Sequence, residues 1–304
     1  MSTGHRKWAI EALIDMLRDA LPEFFIRKIE IPQSRRHLRS LAGFCYLPKA
    51  DLHFFMQQDL LLFSFDKGWV SYKDCIFVRY THSNKDISHY IGCLKAATLI
   101  TVENSQLREE MIALGINKEK IHVRPHPIRW AHFKNIGVTE KMRDVIFVSN
   151  FYRRKRPDII ADLVLANPSV SFTIYGKHWE TFTRFDKLQT LPNFIYRQFD
   201  FEEYPRVLAE HRVFCSVSDI EGGPVPLLES ITAGLIPVVS DTGYARDVLP
   251  ESYSKYIVPV SPNISMLSQV INLALVETHT VVDTTKYSEE SYVKFVRDSI
   301  LACT

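Results

Sequence analysis

Apolar runs rich in β-branched and aromatic residues alternate with helix-period segments through the second half of the chain. "DVIFVSN", "SVSFTIYG", "NFIYRQF", "VFCSVS", "IPVVS" and "KYIVPV" read as strands. "DIIADLVLAN", "ETFTRFDKLQ", "EEYPRVLAEH", "PLLESITAG" and "MLSQVINLALV" read as the helices between them. Near-continuous apolar strands separated by helices predict a parallel sheet covered on both faces. Asp200 with Glu203 three positions on reads as a capping box, and Gly234 as the residue that closes its helix. The first half repeats the pattern more roughly. A helix, "WAIEALIDMLRDAL", opens it, and "SQLREEMIALG" is a second with a glycine stop. "FFIRKIEI", "DLHFFMQ", "CIFVRYTH", "TLITVEN" and "IHVRPHP" are its expected strands. The polar, aperiodic stretch "IRWAHFKNIGVTEKMR" marks a boundary, so that residues 1–140 form one domain and residues from 141 onward another. Two α/β units in tandem predict two doubly wound domains facing each other across a cleft, with ligands at the carboxyl ends of the strands.

Between the expected strand "VFCSVSD" and the expected helix "PVPLLESITAG" lies the turn "IEGGP". Gly222 and Gly223 let the backbone bring peptide N–H groups close to a ligand. The helix start adds unpaired N–H groups and the positive end of a dipole, a combination that suits phosphate. Two carboxylates, Glu221 and Glu229, stand on either side of the turn. Neither helps to bind phosphate, but an ionised carboxylate accepts hydrogen bonds from hydroxyl groups. A sugar on one side of a diphosphate and a ribose on the other would give each glutamate a partner. Taken without their setting, Glu221 reads rather as an acid near a helix start and Glu229 as a solvated helix residue. The glycines, the strand–turn–helix setting and the apolar neighbours favour the binding reading.

The 304 residues are 46% apolar and 24% charged, enough for about two globular domains without disulfide or metal staples. Cys45, Cys75, Cys93, Cys215 and Cys303 form no CxxC pair and no zinc-spaced cluster, which points to a reducing, cytoplasmic setting. Neither a signal-peptide core nor an apolar run of membrane-spanning length is expected. The net charge of +2 is unevenly spread: residues 1–140 hold 20 Lys and Arg against 15 Asp and Glu. The local cluster Arg35, Arg36, His37 and Arg39 is either a solvated face or a surface for an anionic acceptor or an anionic membrane leaflet. Nothing in the pattern points to nucleic acid.

The stretch "EGGPVPLLESITAGLIPVVSDTG" resembles the signature of retaining glycosyltransferases of the GT-B fold, in the large family 4 group. "FVSNFYRRKRPDIIADLV" is similar to the family segment that opens the second domain, "CIFVRYTHSN" to a first-domain strand ending in an active-site histidine, and "TLITVENSQLREEMIALGINKEKIHVRPHPI" to the segment leading to the linker. "YSEESYVKFVRDSIL" is similar to the terminal helix that crosses back to the first domain, which sets the further divisions 141–285 and 286–304.

The resemblance implies a set of roles. Glu229 binds the ribose hydroxyls of a nucleotide sugar and Glu221 the transferred sugar. Gly222 and Gly223 offer N–H groups to sugar and phosphate. Lys155 neutralises the leaving diphosphate, and His82 lies near the donor sugar, with His53 as the alternative. Arg197, Gln198 and Phe199 fall where the family cradles the base. Asn150 stands where the family has an arginine, and a neutral amide is no substitute for a charged fork; Arg153 or Arg154 would have to reach in instead. A second departure is the start, where the family's first strand and glycine-rich loop are reduced at most to Gly4: either the first domain is shortened by a strand or the start is incomplete. No Asp-x-Asp metal motif is evident, and "DFE" at Asp200–Glu202 reads as part of a helix cap, so no divalent metal is expected. The expected chemistry is transfer from a nucleoside diphosphate sugar, the co-substrate in place of any cofactor, to a glycan or lipid-linked glycan by front-face displacement. The base, uridine or guanosine, stays open. The rival reading is a GT-B-like binding or scaffold subunit with weak or no turnover. A nicotinamide-dependent dehydrogenase is disfavoured because no GxGxxG follows the first strand of either domain.

Overall fold

The computed structural model describes residues 9–29, 47, 49–81, 86–134, 136, 141–278 and 282–303. Contacts divide the chain into one unit made of Met1–Arg124 and Glu290–Thr304, and a second made of Pro125–Glu289. The expected boundaries at 140/141 and 285/286 thus fall at 124/125 and 289/290. Ile128 and Phe133, inside the stretch that lacks periodicity, are buried in the core of the second unit. The Ile128 N–H donates to the Tyr287 carbonyl at 2.9 Å, which fastens both ends of that unit together.

In the first unit β1 (His53–Phe55), β2 (Ile76–Tyr80), β3 (Leu99–Val102) and β4 (Ile121–Val123) form a parallel sheet in the order β1-β2-β3-β4. All five residues of β2 are buried, as a strand covered on both faces requires. Ile76, Val78 and Tyr80 join Leu61, Tyr90, Leu94 and Ile100 in one cluster. Phe77 points to the opposite face and stacks on Phe54 with ring centroids 4.0 Å apart. On that face lies the terminal helix Glu289–Cys303, whose Tyr292, Val293 and Val296 pack with Leu13, Leu17 and Leu21 at the start of the chain. Arg297 bonds Glu23 at 2.6 Å, and the Arg124 guanidinium sits 4.5 Å from the centre of the Phe295 ring. A buried ion pair, Arg79 with Glu103, lies within electrostatic reach of Tyr292.

The expected strand "FFIRKIEI" is not one over its described residues. Phe24 and Ile26 turn inward onto the terminal-helix cluster while Phe25 is 95% exposed. The alternation is there, but no neighbouring strand pairs with it among the described residues. Over the described residues the parallel sheet runs in chain order from β1 to β4.

The second unit has the doubly wound pattern in full. Its strands are β5 (Arg143–Val148), β6 (Phe172–Gly176), β7 (Phe194–Gln198), β8 (His211–Ser216), β9 (Ile236–Ser240) and β10 (Ile257–Val258). They are parallel, in the order β10-β9-β8-β5-β6-β7. The chain runs outward from β5 to β7, then returns to lay β8 against β5 and continues the other way. Ligands in such sheets bind at the carboxyl ends of the two strands where the direction reverses, here β5 and β8. The helix Val225–Thr232 follows β8 and closes as expected at Gly234. With φ at 82°, Gly234 donates to Ile231 O, and Leu235 donates to Ser230 O, the paired bonds of a Schellman motif. Asp200 caps the turn before the helix Tyr204–Ala209, accepting from the N–H groups of Glu202 and Glu203. No helix of the described residues is long and apolar enough to cross a membrane.

Candidate active site

The loops leaving β5 and β8 are stitched together by backbone and side chain. The Asp219 N–H donates to Arg154 O at 2.9 Å, and the Arg154 guanidinium donates to Ile220 O at 2.9 Å. Arg156, in a left-handed conformation just before Pro157, pairs with Asp219 at 2.8 Å and donates to Ser261 Oγ. This cross-brace sets the short turn Arg153–Lys155 against the segment that begins at Asp219.

The result is a convergence of charge. Lys155 Nζ bonds Glu221 Oε1, and Arg154 pairs with the same oxygen at 2.8 Å. The Lys155 side chain is 15% exposed and that of Glu221 7%. Burial pushes the Glu221 carboxyl up, but Lys155 and Arg154 outweigh it and hold it below the usual carboxylate range. Burial also pulls Lys155 below the usual lysine range, against the opposing pull of Glu221. Two cations on one carboxylate leave a surplus positive charge at the carboxyl ends of β5 and β8, little screened by water.

Of the two arginines offered in place of the missing one, Arg154 is at Glu221, whereas Arg153 is exposed. The Asn150 side-chain oxygen accepts from the Lys177 N–H at 3.0 Å, so it links the ends of β5 and β6. Gly222 and Gly223 are not among the positive-φ glycines of the described residues. Left-handed backbone is therefore not what selects them. Pro224 and Pro226 carry no N–H, and the Leu227 N–H is bonded to Pro224 O.

A residue that the sequence did not single out supports this turn from behind. Gly243, after β9, has φ at 60°, and a Cβ there would lie 3.0 Å from Gly222 O and 3.2 Å from Glu221 Cβ. Gly243→Ala is therefore expected to strain its own backbone and push on the Glu221–Gly222 segment, lowering transfer more than thermal stability. A variant with wild-type turnover and an unchanged melting temperature shows that the turn yields without consequence.

Glu229 lies on the same helix and is 9% exposed. The Tyr204 hydroxyl donates to its Oε2 at 2.9 Å. Around them stand the rings of Tyr175, Phe199 and Phe133, each 5.0–5.8 Å from Tyr204. Burial pushes Glu229 up to about 7, against the opposing effects of the Tyr204 bond and of Arg129.

The other expected residues are dispersed. His82 and the basic cluster Arg35, Arg36, His37 and Arg39 lie outside the described residues. His53 opens β1, half-buried, with its imidazole pulled below the usual range by burial against the pull of Asp74. Arg197 pairs with Glu210 at 3.5 Å, Gln198 donates to Glu180, and the Phe199 N–H donates to Gly176 O. Among the described residues no group of three or more His, Cys, Asp or Glu is arranged to hold a metal ion. A cavity of about 410 Å³ opens at the other end of the Glu229 helix, between Trp130, Ile231, Gly234 and Thr284, away from these charges.

The architecture recurs in solved glycosyltransferases. Anabaena Alr3699/HepE in complex with UDP-glucose matches with a TM-score of 0.72 and 13% identity, over 99% of this chain and 98% of that one. The lipopolysaccharide outer core galactosyltransferase WaaB matches with a TM-score of 0.65 and 18% identity, over 88% and 79%. The pneumococcal O-GlcNAc transferase GtfA in complex with UDP and GlcNAc matches with a TM-score of 0.64 and 14% identity, over 88% and 59%. At these identities the likeness establishes the fold, which is that of the GT-B glycosyltransferases. No curated protein sequence matches the chain. Residues 128–291, however, match the family model described as glycosyl transferases group 1. That stretch is more than half of the sequence and contains Lys155, Glu221 and Glu229 together, and this chain belongs to the glycosyl transferases group 1 family.

Proposed function

We propose that this chain moves a sugar from a uridine diphosphate sugar to the hydroxyl of a glycan or lipid-linked glycan, with retention at the anomeric carbon and without a divalent metal. The observation that carries the reading is the meeting of Lys155 and Arg154 on Glu221 at the reversal point of the second sheet. Support for uridine comes from the neighbours solved with UDP or UDP-glucose.

Donor and site match in chemistry. The diphosphate takes the surplus charge of Lys155 and Arg154, the ribose hydroxyls donate to Glu229, and those of the sugar donate to Glu221. As the bond from the anomeric carbon to the diphosphate breaks, negative charge grows on the leaving oxygens. Fixed cations already in place stabilise it without reorganisation. The acceptor oxygen forms its bond on the same face, and its proton passes to the departing phosphate. Neutralisation by side chains takes the part that a divalent ion plays in other transferases.

Titration of UDP, GDP and UDP-sugars against the thermal unfolding of the protein tests the donor. A ligand at a hundred times its Kd adds about 2.7 kcal/mol of stability. UDP is expected to stabilise more than GDP, and absence of stabilisation by any nucleotide overturns the reading. Two variants then test the division of labour. Glu221→Ala is expected to abolish transfer and spare bare UDP, because its carboxylate only occupies the cations in the free protein. Glu229→Ala is expected to weaken UDP roughly ten- to a hundredfold, the value of a hydrogen bond to a charged group. Equal loss of UDP in both variants ends the proposed split.

A further inference from the structure

Tyr204, Val207 and Leu208 are the buried face of the helix Tyr204–Ala209. A phenylalanine would fill the Tyr204 position as well as tyrosine does, so the hydroxyl is what needs an explanation. Tyr204 is 2% exposed, and its hydroxyl donates to Glu229, 25 positions away on another helix. The ring is fixed from several sides: it stacks on Tyr175 with planes 17° apart and meets Phe133 and Phe199 at steeper angles. Tyr175 is itself pinned, its hydroxyl donating to Asp200 O at 2.6 Å and accepting from the Asp200 N–H at 2.9 Å. A rigid donor therefore meets a buried carboxylate.

We propose that Tyr204 is a positioning residue for Glu229, holding Oε2 in one rotamer so that Oε1 is presented to the vicinal hydroxyls of the nucleotide's ribose. This rests on the reading of Glu229 as the ribose site. An ionised carboxylate has acceptor sites on both oxygens, so a bond to one leaves the other free to receive. The bond has a second effect. It favours the ionised form of Glu229, which accepts from ribose, over the protonated form, which burial favours. Among the described residues, the charged and titratable groups facing Glu229 are Tyr204 and Arg129, and Tyr175 and Tyr244 face Tyr204 in turn. Burial and the Glu229 charge hold the Tyr204 phenol far above the usual tyrosine range, so it stays a donor at every working pH.

Calorimetry on the full chain with UDP and with 2′,3′-dideoxy-UDP, from pH 6 to pH 9, separates the possibilities. Wild type is expected to prefer UDP at pH 8 by roughly ten- to a hundredfold, and Glu229→Gln to lose most of that preference. Tyr204→Phe is expected to lose most of it at pH 7.5 and to regain part of it at pH 9, where the carboxylate ionises without the phenol. If Tyr204→Phe weakens UDP and the dideoxy analogue equally at every pH, Tyr204 only packs and the proposal is overturned. If Tyr204→Phe does not fold, Tyr204→Phe in the Glu229→Gln background is compared with Glu229→Gln alone. There the substitution is expected to leave the UDP to dideoxy-UDP ratio unchanged, and a further fall in that ratio overturns the proposal. A wild-type protein that binds both nucleotides alike removes the ribose reading itself, a result distinct from failure of Tyr204 alone.

Discussion

Lys155→Met lowers turnover at saturating donor by roughly a hundred- to a thousandfold, the loss associated with one fixed charge-stabilising group. The expectation rests on where the lysine is. Its side chain is 15% exposed, so its attraction for developing charge on a diphosphate is screened less than at a surface. Arg154 stands beside it but cannot take over. It is more exposed, and its guanidinium is already tied to Ile220 O and Glu221. The uncharged methionine keeps the length of the stem, so packing changes little. Binding of the whole donor suffers less than turnover, since most of the charge on the leaving group develops only as the bond breaks. Arg153→Ala, at an exposed position, serves as the control and is expected to stay near wild type. A Lys155→Met enzyme within threefold of wild-type kcat would falsify the assignment.

Glu229→Gln is expected to stabilise the free protein while it damages the site. The carboxyl titrates at about 7 in the folded chain, against 4.5 for an unburied glutamate. Between those values the native chain holds a proton that the unfolded chain has released. The stabilisation from this group is therefore complete below pH 4.5, and it declines as pH rises to 7. Above that, keeping the buried charge costs about 3 kcal/mol at 1.36 kcal/mol per unit. Glutamine has the same shape and carries no charge, and its carbonyl still accepts from Tyr204. Denaturant melts at pH 8 should show a gain approaching that size, and melts at pH 4 almost none. An equal gain at both pH values means the effect is packing, not charge. Lost UDP affinity in the stabler protein would show that the site is kept at the expense of the fold.

The second unit was legible because central parallel strands are apolar on both faces and stand out as short runs between helices. β5, β6, β8 and β9 all lie where those runs are. The turn after β8 was legible through its glycines and the carboxylates around it. What failed in the first unit failed for a physical reason. Alternation at Phe24–Ile29 records which side chains are buried, not whether a strand lies alongside, and the partner there is a helix nearly 270 positions away. Tyr204 reads as one more apolar position in a helical stripe; only the fold puts its hydroxyl on Glu229. Gly243 belongs to a strand end that carries no chemistry of its own, yet its missing Cβ is what the Glu221–Gly222 segment packs against. Asn150 reads as a lost arginine, and only the fold shows its amide oxygen accepting from the Lys177 N–H just beyond the ends of β5 and β6.

The terminal helix Glu289–Cys303 gives the first unit two distant origins in the gene. A ribosome delivers the whole of Pro125–Glu289 before it delivers Tyr292, Val293 and Val296. At roughly 5–20 residues per second, that is a wait on the order of ten seconds. During it Leu13, Leu17 and Phe77 lack the cover of Tyr292, Val293 and Val296, while β5 to β10 of the second unit have all been translated. The first unit therefore cannot be completed until the last residues of the chain are made. A chain that ends at residue 289 lacks Tyr292, Val293 and Val296, and its Leu13, Leu17 and Phe77 stay uncovered on that face.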